Sequence, residues 1–351
     1  MKQLLPKILG ISILAGSFIA GWLLMDINDF LKSPILKNTE PVDYFIEPGT
    51  SLKQLVHDLK KNKDVDYPFY LVWYARWQGV ANQIKAGEYE FLPGIKPDEF
   101  LDQIVMGRVK QYSLTLIEGW TFGQLMDAVN QHDKLEHSLA GLDQNGIMSR
   151  LGWPEQHPEG RFYPDTYHIN RGMTDVAFLQ RAYLAMQERL EQAWQQRAEG
   201  LPYNNPYEVL IMASIIEKET AVPDERQQIA GVFVRRLQKK MRLQTDPTVI
   251  YGLGEQFDGN LTRHGLKLYT PYNTYLNSGL PPTPIAMPGG DSIHAALHPA
   301  PGEALYFVSR GDGTHHFSAT IEEHNDAVTR YQLGKRLRTF SSMPVDNGVQ
   351  N

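Results

Sequence analysis

Hydrophobic positions along this chain change their spacing several times, and each change predicts an element. From Ile8 to Met25 the chain runs 18 residues without a charge. A helix of that length is about 27 Å long, enough to cross a bilayer core. Val42 to Ile46 reads as a strand. Behind a Thr50 or Ser51 cap, Leu52, Leu55, Val56 and Leu59 then recur at i, i+3, i+4 and i+7, the stripe of an amphipathic helix. An aromatic-rich helix is expected from about Pro68 to Gln78. Glu88 to Phe91 alternates like a strand, and Pro93-Gly94 turns the chain into a helix carrying Phe100, Leu101, Ile104 and Val105. Farther on, Thr174 to Gly200 predicts a long helix, Pro206 opens another that reaches Thr220, and Pro223 starts a third whose Ile229, Val232, Phe233 and Leu237 face inward. From Gln244 to Gly290 glycine, proline and tyrosine dominate, which predicts long loops over a scaffold, where binding residues concentrate. The fold class expected is α+β: an N-terminal transmembrane helix, a small α/β module and a larger α+β domain. The boundaries expected are a cytoplasmic tip at 1–7, an anchor at 8–25, a tether at 26–40, the module at 41–110, the larger domain at 111–340 and a disordered tail at 341–351.

Charge and composition narrow the function. Lys2 and Lys7 precede the apolar run, and Trp22 sits near its far end as an interfacial aromatic would. Ala15-Gly-Ser17 offers a cleavage site, but the apolar run continues past it, so an uncleaved anchor is the preferred reading over a signal peptide. The two lysines then stay in the cytoplasm, and everything after Asp26 lies outside the inner membrane. A net charge of -6 gives no basic footprint for nucleic acid. With no cysteine, disulfides, thiolate catalysis and cysteine-ligated zinc are excluded. His294 and His298 are four apart, yet Ile293 and Ala295 flank the first of them instead of the glutamate a zinc protease needs. No metal and no cofactor is expected.

One carboxylate stands in the wrong place for a passive residue. Each helical residue advances roughly 100°, so in the segment from Tyr207 to Thr220 the positions Val209, Met212, Ile215 and Ile216 fall within about 80° of Glu219. Glu217 falls roughly 160° away, toward a wetter surface. A carboxyl on an apolar stripe has its charged form disfavoured and its pKa raised, the property a general acid requires. The plainer reading is a structural carboxyl paired with Arg235, Arg236 or Arg242.

Several blocks keep one order over the second half of the chain: Glu159-Gly-Arg-Phe-Tyr-Pro-Asp-Thr-Tyr167, Ala213-Ser-Ile-Ile-Glu-Lys-Glu-Thr220, Arg242-Leu-Gln-Thr-Asp-Pro-Thr-Val-Ile-Tyr-Gly252, Tyr272-Asn-Thr-Tyr275, Gly279-Leu-Pro-Pro282, Ile285-Ala-Met-Pro-Gly289, His298-Pro299 and Tyr306-Phe-Val308. Together they resemble the MltG/YceG-like endolytic murein transglycosylases. The resemblance implies a single-pass inner-membrane enzyme that cuts the MurNAc-GlcNAc β-1,4 bond of nascent peptidoglycan glycan strands, leaves 1,6-anhydro-MurNAc ends and terminates strand elongation. It implies that the second glutamate of Glu-Lys-Glu-Thr, here Glu219, is the catalytic acid, and it extends the partners to penicillin-binding proteins or other synthases. Gln244, Thr245 and Asp246 are expected to orient Glu219 or bind sugar hydroxyls, with a helix cap as the plainer role. Tyr272, Asn273 and Tyr275 suit a saccharide cleft, and Glu159, Asp165 and Tyr167 suit its other wall. The strand–helix–helix–strand order of the small module resembles a LysM-type glycan binder. Two rivals stay open: a hydrolytic muramidase using Asp246 or Asp165 as a second carboxylate, and a non-catalytic glycan-binding scaffold.

Overall fold

The computed structural model describes residues 4–36, 39–61 and 68–333. The expected tail at 341–351 and the first three residues of the expected tip lie outside the described residues. In chain order the elements are α1 (Leu4–Lys32), β1 (Val42–Ile46), α2 (Leu52–Lys61), α3 (Pro68–Trp77), β2 (Gly87–Phe91), α4 (Pro97–Met106), β3 (Gln111–Thr115), α5 (Phe122–Gln131), β4 (Leu135–Glu136), α6 (Gln144–Leu151), β5 (Thr166–Asn170), β6 (Met173–Thr174), α7 (Asp175–Gln195), α8 (Pro206–Glu219), α9 (Arg226–Gln238), α10 (Asp246–Leu253), α11 (Gly290–Leu297), β7 (Tyr306–Ser309), β8 (His315–Ser318) and α12 (Ile321–Val328). The strands form four two-stranded sheets, β1–β2, β3–β5, β4–β6 and β7–β8. The chain divides into two compact units. The first holds Met1–Ser113 with the excursion His168–Met173, and the second holds Leu114–Tyr167 and the chain from Thr174 onward.

In the first unit α1 is the helix, among the described residues, that is long and apolar enough to cross a membrane, compatible with a single-pass anchor. Its apolar stretch is bare, with Phe18 79% and Trp22 65% exposed, a surface that water does not suit. Where a tether was expected, the helix continues to Lys32, and Phe30, Ile35 and Leu36 lie buried in the core of this unit. The cause is local. Phe30 follows Asp26 by one helical turn; its ring sits 5.7 Å from Tyr70 and 6.3 Å from Tyr74, and the Tyr70 hydroxyl donates to the Asp26 carboxylate. Continuing the helix gives both residues partners on α3. β1 and β2 pair antiparallel from Val42 opposite Phe91 to Ile46 opposite Gly87. Over them α2 buries the predicted stripe Leu52, Leu55, Val56 and Leu59, each worth about 1.5–3 kcal/mol of transfer free energy.

The second unit is built around α8. Every residue from Val209 to Ile216 is buried, so this helix is enclosed by its neighbours α7, α9, α10 and α11 and has no solvent face over that stretch. Its start is fixed by Asn205, whose side chain accepts from Glu208 N at 3.1 Å, and by Pro206 in the first turn. Inside it, Ser214 Oγ donates to the Ile211 carbonyl and accepts from Ile285 N at 3.0 Å, so a buried hydroxyl ties the helix to the Ile285–Gly289 segment. At Gly160 the 159–167 block meets the segment 284–286. With φ +76° Gly160 holds a left-handed turn, and a Cβ there would fall 2.4 Å from Pro284. The stretch 244–290 is not all loop. Thr248 and Val249 are fully buried, and their burial pulls Asp246–Leu253 into α10 despite the glycine- and proline-rich surroundings.

Candidate active site

Glu219 is the last residue of α8, and there it reaches the wall of a cavity of about 650 Å³. Arg236, Gln244, Asp246 and Tyr275 line the same cavity, together with Tyr306 and Phe307 of β7, His315 of β8 and His324 of α12. The helix delivers its carboxyl half-buried: the apolar body of α8 shields it, and the cavity exposes its edge. Burial pushes the Glu219 carboxyl up from 4.5 to about 7; the nearby charge of Asp246 adds to this, and a hydrogen bond from Thr245 opposes it.

That hydrogen bond is built with care. Thr245 Oγ1 donates to Glu219 Oε2 at 2.9 Å. Thr245 is itself held from behind. Its backbone N donates to Thr274 Oγ1 at 3.1 Å, its carbonyl accepts from Thr248 Oγ1 at 2.7 Å, and the hydroxyls of Thr248 and Thr274 lie 2.8 Å apart. All three threonines are buried. Just before them Gln244 has φ 53°, an uncommon conformation for a residue with a Cβ. Its backbone N donates to the Thr274 carbonyl at 3.2 Å, and its Oε1 accepts from Arg236 Nη1 at 3.1 Å. The strained turn is what brings Thr245 under Glu219.

None of the three arginines considered as salt-bridge partners pairs with Glu219 among the described residues. Arg235 donates to the carbonyls of Ala300 and Ala304, Arg236 to those of Arg242, Leu243 and Leu305, and Arg242 to that of Tyr275. Glu217 is occupied elsewhere. Its Oε2 accepts from Gly289 N at 3.0 Å and Ser292 Oγ at 2.7 Å, which pins α8 to the start of α11. A Cβ at Gly289 would sit 1.9 Å from Glu118 Oε1, so a larger residue there would displace that carboxylate.

The other expected site residues divide. Gln244, Asp246 and Tyr275 line the cavity, and the Tyr275 hydroxyl donates to Asp246 Oδ1 at 2.6 Å. Tyr272 and Asn273 do not line it. Asn273 is wholly buried; its Nδ2 donates to the Leu266 and Leu268 carbonyls and its Oδ1 accepts from Tyr275 N, so the amide shapes the loop that presents Tyr275. The Tyr272 hydroxyl lies 2.8 Å from Thr283 Oγ1, and its ring packs against Tyr251. Glu159, Asp165 and Tyr167 are absent from the cavity wall as well. Glu159 is buried behind α10, where its Oε1 accepts from Phe122 N at 2.9 Å and its Oε2 from the Tyr251 hydroxyl at 3.0 Å. The Tyr167 hydroxyl donates to the Tyr163 carbonyl, and Asp165 is exposed. The wall is supplied instead by β7, β8 and α12. The spacing of His315 and His324 carries no signal for this; the block Tyr306-Phe-Val308 was the signal that this hairpin matters. Among the described residues no group of three His, Cys, Asp or Glu side chains forms a metal cluster.

A family model described as the YceG-like family matches residues 44–330. A Bacillus subtilis (strain 168) protein named endolytic murein transglycosylase is 31% identical over 341 residues, covering 92% of each chain. A protein of the same name from Streptococcus pneumoniae serotype 2 is 26% identical over 83% of this chain and 58% of its own length. A crystal structure of a yceG-like protein from Listeria monocytogenes matches with a TM-score of 0.52 at 30% identity, covering 82% of this chain and 99% of that one.

Proposed function

This chain belongs to the YceG-like family, and we propose that it is an endolytic lytic transglycosylase of peptidoglycan glycan strands with Glu219 as its acid and base. The observation that carries the assignment is a carboxyl on a cavity wall, held by one threonine hydroxyl, paired with no cation among the described residues, and pushed up to about 7. Such a group keeps its proton near neutrality and can give it to the glycosidic oxygen between MurNAc and GlcNAc. As that C–O bond breaks, the 6-hydroxyl of the same MurNAc attacks its C1, and the Glu219 carboxylate takes the proton this hydroxyl releases. The products are a GlcNAc with a free 4-hydroxyl and a 1,6-anhydro-MurNAc end. No water is consumed and Glu219 ends protonated, so one carboxyl suffices where ordinary glycosidases need two. Intramolecular attack supplies the high effective concentration that a protein nucleophile would otherwise provide.

Gln244, Asp246 and Tyr275 are the residues we assign to sugar contact from the cavity wall. Thr245 orients the acid, while Asn273 and Tyr272 hold the loop. The strand–helix–helix–strand order of β1, α2, α3 and β2 supports a LysM-like glycan-binding role for the first unit. With Lys2 and Lys7 kept in the cytoplasm, α1 would place both units on the periplasmic side of an inner membrane. There the enzyme meets strands as they leave the polymerases, and cutting them would end elongation beside penicillin-binding proteins or other synthases.

The test is the chemistry of the ends. Glu219→Gln should lower anhydro-end formation by about 100- to 10,000-fold without unfolding the protein. Mass spectrometry of the digested strands separates the hydrolytic alternative, in which Asp246 serves as a second carboxylate, because its reducing ends retain the elements of water. Near-normal turnover by the glutamine variant would remove Glu219 from the role.

A further inference from the structure

The wall of the cavity contributed by β8 carries a side chain that the mechanism above does not use. His315 opens β8, and Glu225 ends the short 3-10 turn Pro223–Glu225 that leads into α9. Glu225 grips His315 twice: its Oε1 accepts from the His315 backbone N at 2.8 Å, and its Oε2 lies 2.7 Å from Nδ1. Both side chains are shielded, at 13% and 10% exposure. Phe307 packs edge-on against the imidazole at 5.3 Å and fixes the plane of the ring. A carboxylate at Nδ1 holds the proton on that nitrogen, which makes Nε2 the acceptor of the neutral ring. Nε2 makes no hydrogen bond to any described residue, and His315 lines the cavity that contains Glu219.

In its neutral form, a ring held at Nδ1 by Glu225 on a residue that lines the cavity can receive a donor from outside the protein at Nε2. The donors a glycan offers in greatest number are its hydroxyls. We propose that Glu225 and His315 form a carboxylate–imidazole pair whose free Nε2 accepts a hydrogen bond from a sugar hydroxyl of the strand bound in the Glu219 cavity. His315 is then a second substrate-touching residue, and Glu225 is its positioning residue. The proposal rests on reading that cavity as the glycan site.

Two substitutions separate this from a clip that only fastens β8 to α9. His315→Asn keeps an N–H near the position of Nδ1 for Glu225 and removes Nε2. His315→Gln reaches the position of Nε2 but gives up the Glu225 contact. With the full-length protein in detergent and uncrosslinked glycan strands as substrate, His315→Asn should lose about 10- to 100-fold in kcat/KM, the effect of removing one buried hydrogen-bond partner. Its thermal midpoint should stay near that of the wild type, and His315→Gln should recover part of the loss. In a Glu219→Gln background, which binds without cutting, His315→Asn should weaken strand binding by a similar factor. Wild-type kcat/KM in His315→Asn, beside a dead Glu219→Gln, overturns the pair and leaves the cavity assignment standing. If Glu219→Gln itself cuts, the cavity assignment falls, and strand binding by His315→Asn alone decides: unchanged affinity overturns the pair. Should His315→Asn unfold, His315→Gln decides, since a folded Gln variant as weak as His315→Ala also overturns it.

Discussion

At the scale of single residues, what distinguishes Glu219 from the other glutamates of α8 is where the helix ends. The Glu208 carboxylate accepts from Asn204 at the start of the helix and Glu217 is consumed by Gly289 and Ser292, but Glu219 closes the helix against a cavity and, among the described residues, hydrogen-bonds only to Thr245. Its carboxyl is pushed up from 4.5 to about 7, so between those values the folded protein binds more protons than the unfolded chain. The stabilising contribution of the neutral acid is complete below 4.5 and is lost as pH rises through about 7. Measured by urea midpoints, the wild type should therefore lose stability relative to Glu219→Gln on moving from acid to mildly alkaline buffer. Activity depends on the same proton, so the kcat/KM profile should fall on its alkaline side with a midpoint near 7. Thr245→Val tests the link between the two. The Thr245 hydroxyl favours the charged carboxylate, so its removal should move that limb to higher pH while the rate drops through lost orientation. A limb that stays fixed would mean another group titrates.

Elements differ in how openly the chain announced them. The helices α2, α8 and α9 were legible because their apolar positions recur at helical spacing and their starts carry Ser51, Pro206 or Pro223. α10 was legible only at its start, where Thr245 stands at the N-cap; its content of glycine, proline and tyrosine argues for loop, and the burial of Thr248 and Val249 favours the helix. Glu159 shows the same limit. Its motif drew attention, but the cleft wall expected of it turned out to be a hidden brace. It joins the first turn of α5, through Phe122 N, to Tyr251 on α10, the helix that begins beside Thr245. Glu159→Ala would leave the Phe122 N–H unpaired, at a cost of about 1–3 kcal/mol, and would take one partner from the Tyr251 hydroxyl. The expected result is a lower unfolding midpoint together with a reduced kcat, since α10 carries Asp246 and follows Thr245. A variant that loses stability but keeps kcat would show that α10 is held in place without this brace. The wall formed by β7 and β8 was the least legible part of the site. Nothing in the spacing of Tyr306, Phe307 and His315 says that they converge on Glu219; the fold alone brings them to one cavity.

For the whole molecule, the decisive point is how the anchor and the site are apportioned. The end of α1 belongs to the core of the first unit, since Phe30, Ile35 and Leu36 are buried there, although the polar composition of 26–40 had suggested a tether. Glu219, Thr245, Asp246, Tyr275 and His315 all belong to the second unit. A soluble fragment should therefore begin no later than Asn28. Starting there keeps Phe30, whereas starting at Thr39 removes three core side chains, and the loss of Phe30 alone corresponds to about 3–5 kcal/mol. The fragment from Asn28 is expected to unfold cooperatively and to keep the alkaline limb and the dependence on Glu219, because no group that sets the proton affinity of the acid lies in the part removed. The fragment from Thr39 is expected to show a destabilised first unit by calorimetry with an intact limb from the second. If the limb moved in the longer fragment, Glu219 would owe its proton to something beyond Thr245, Asp246 and burial. The chemistry would then be a property of the anchored protein instead of the cavity.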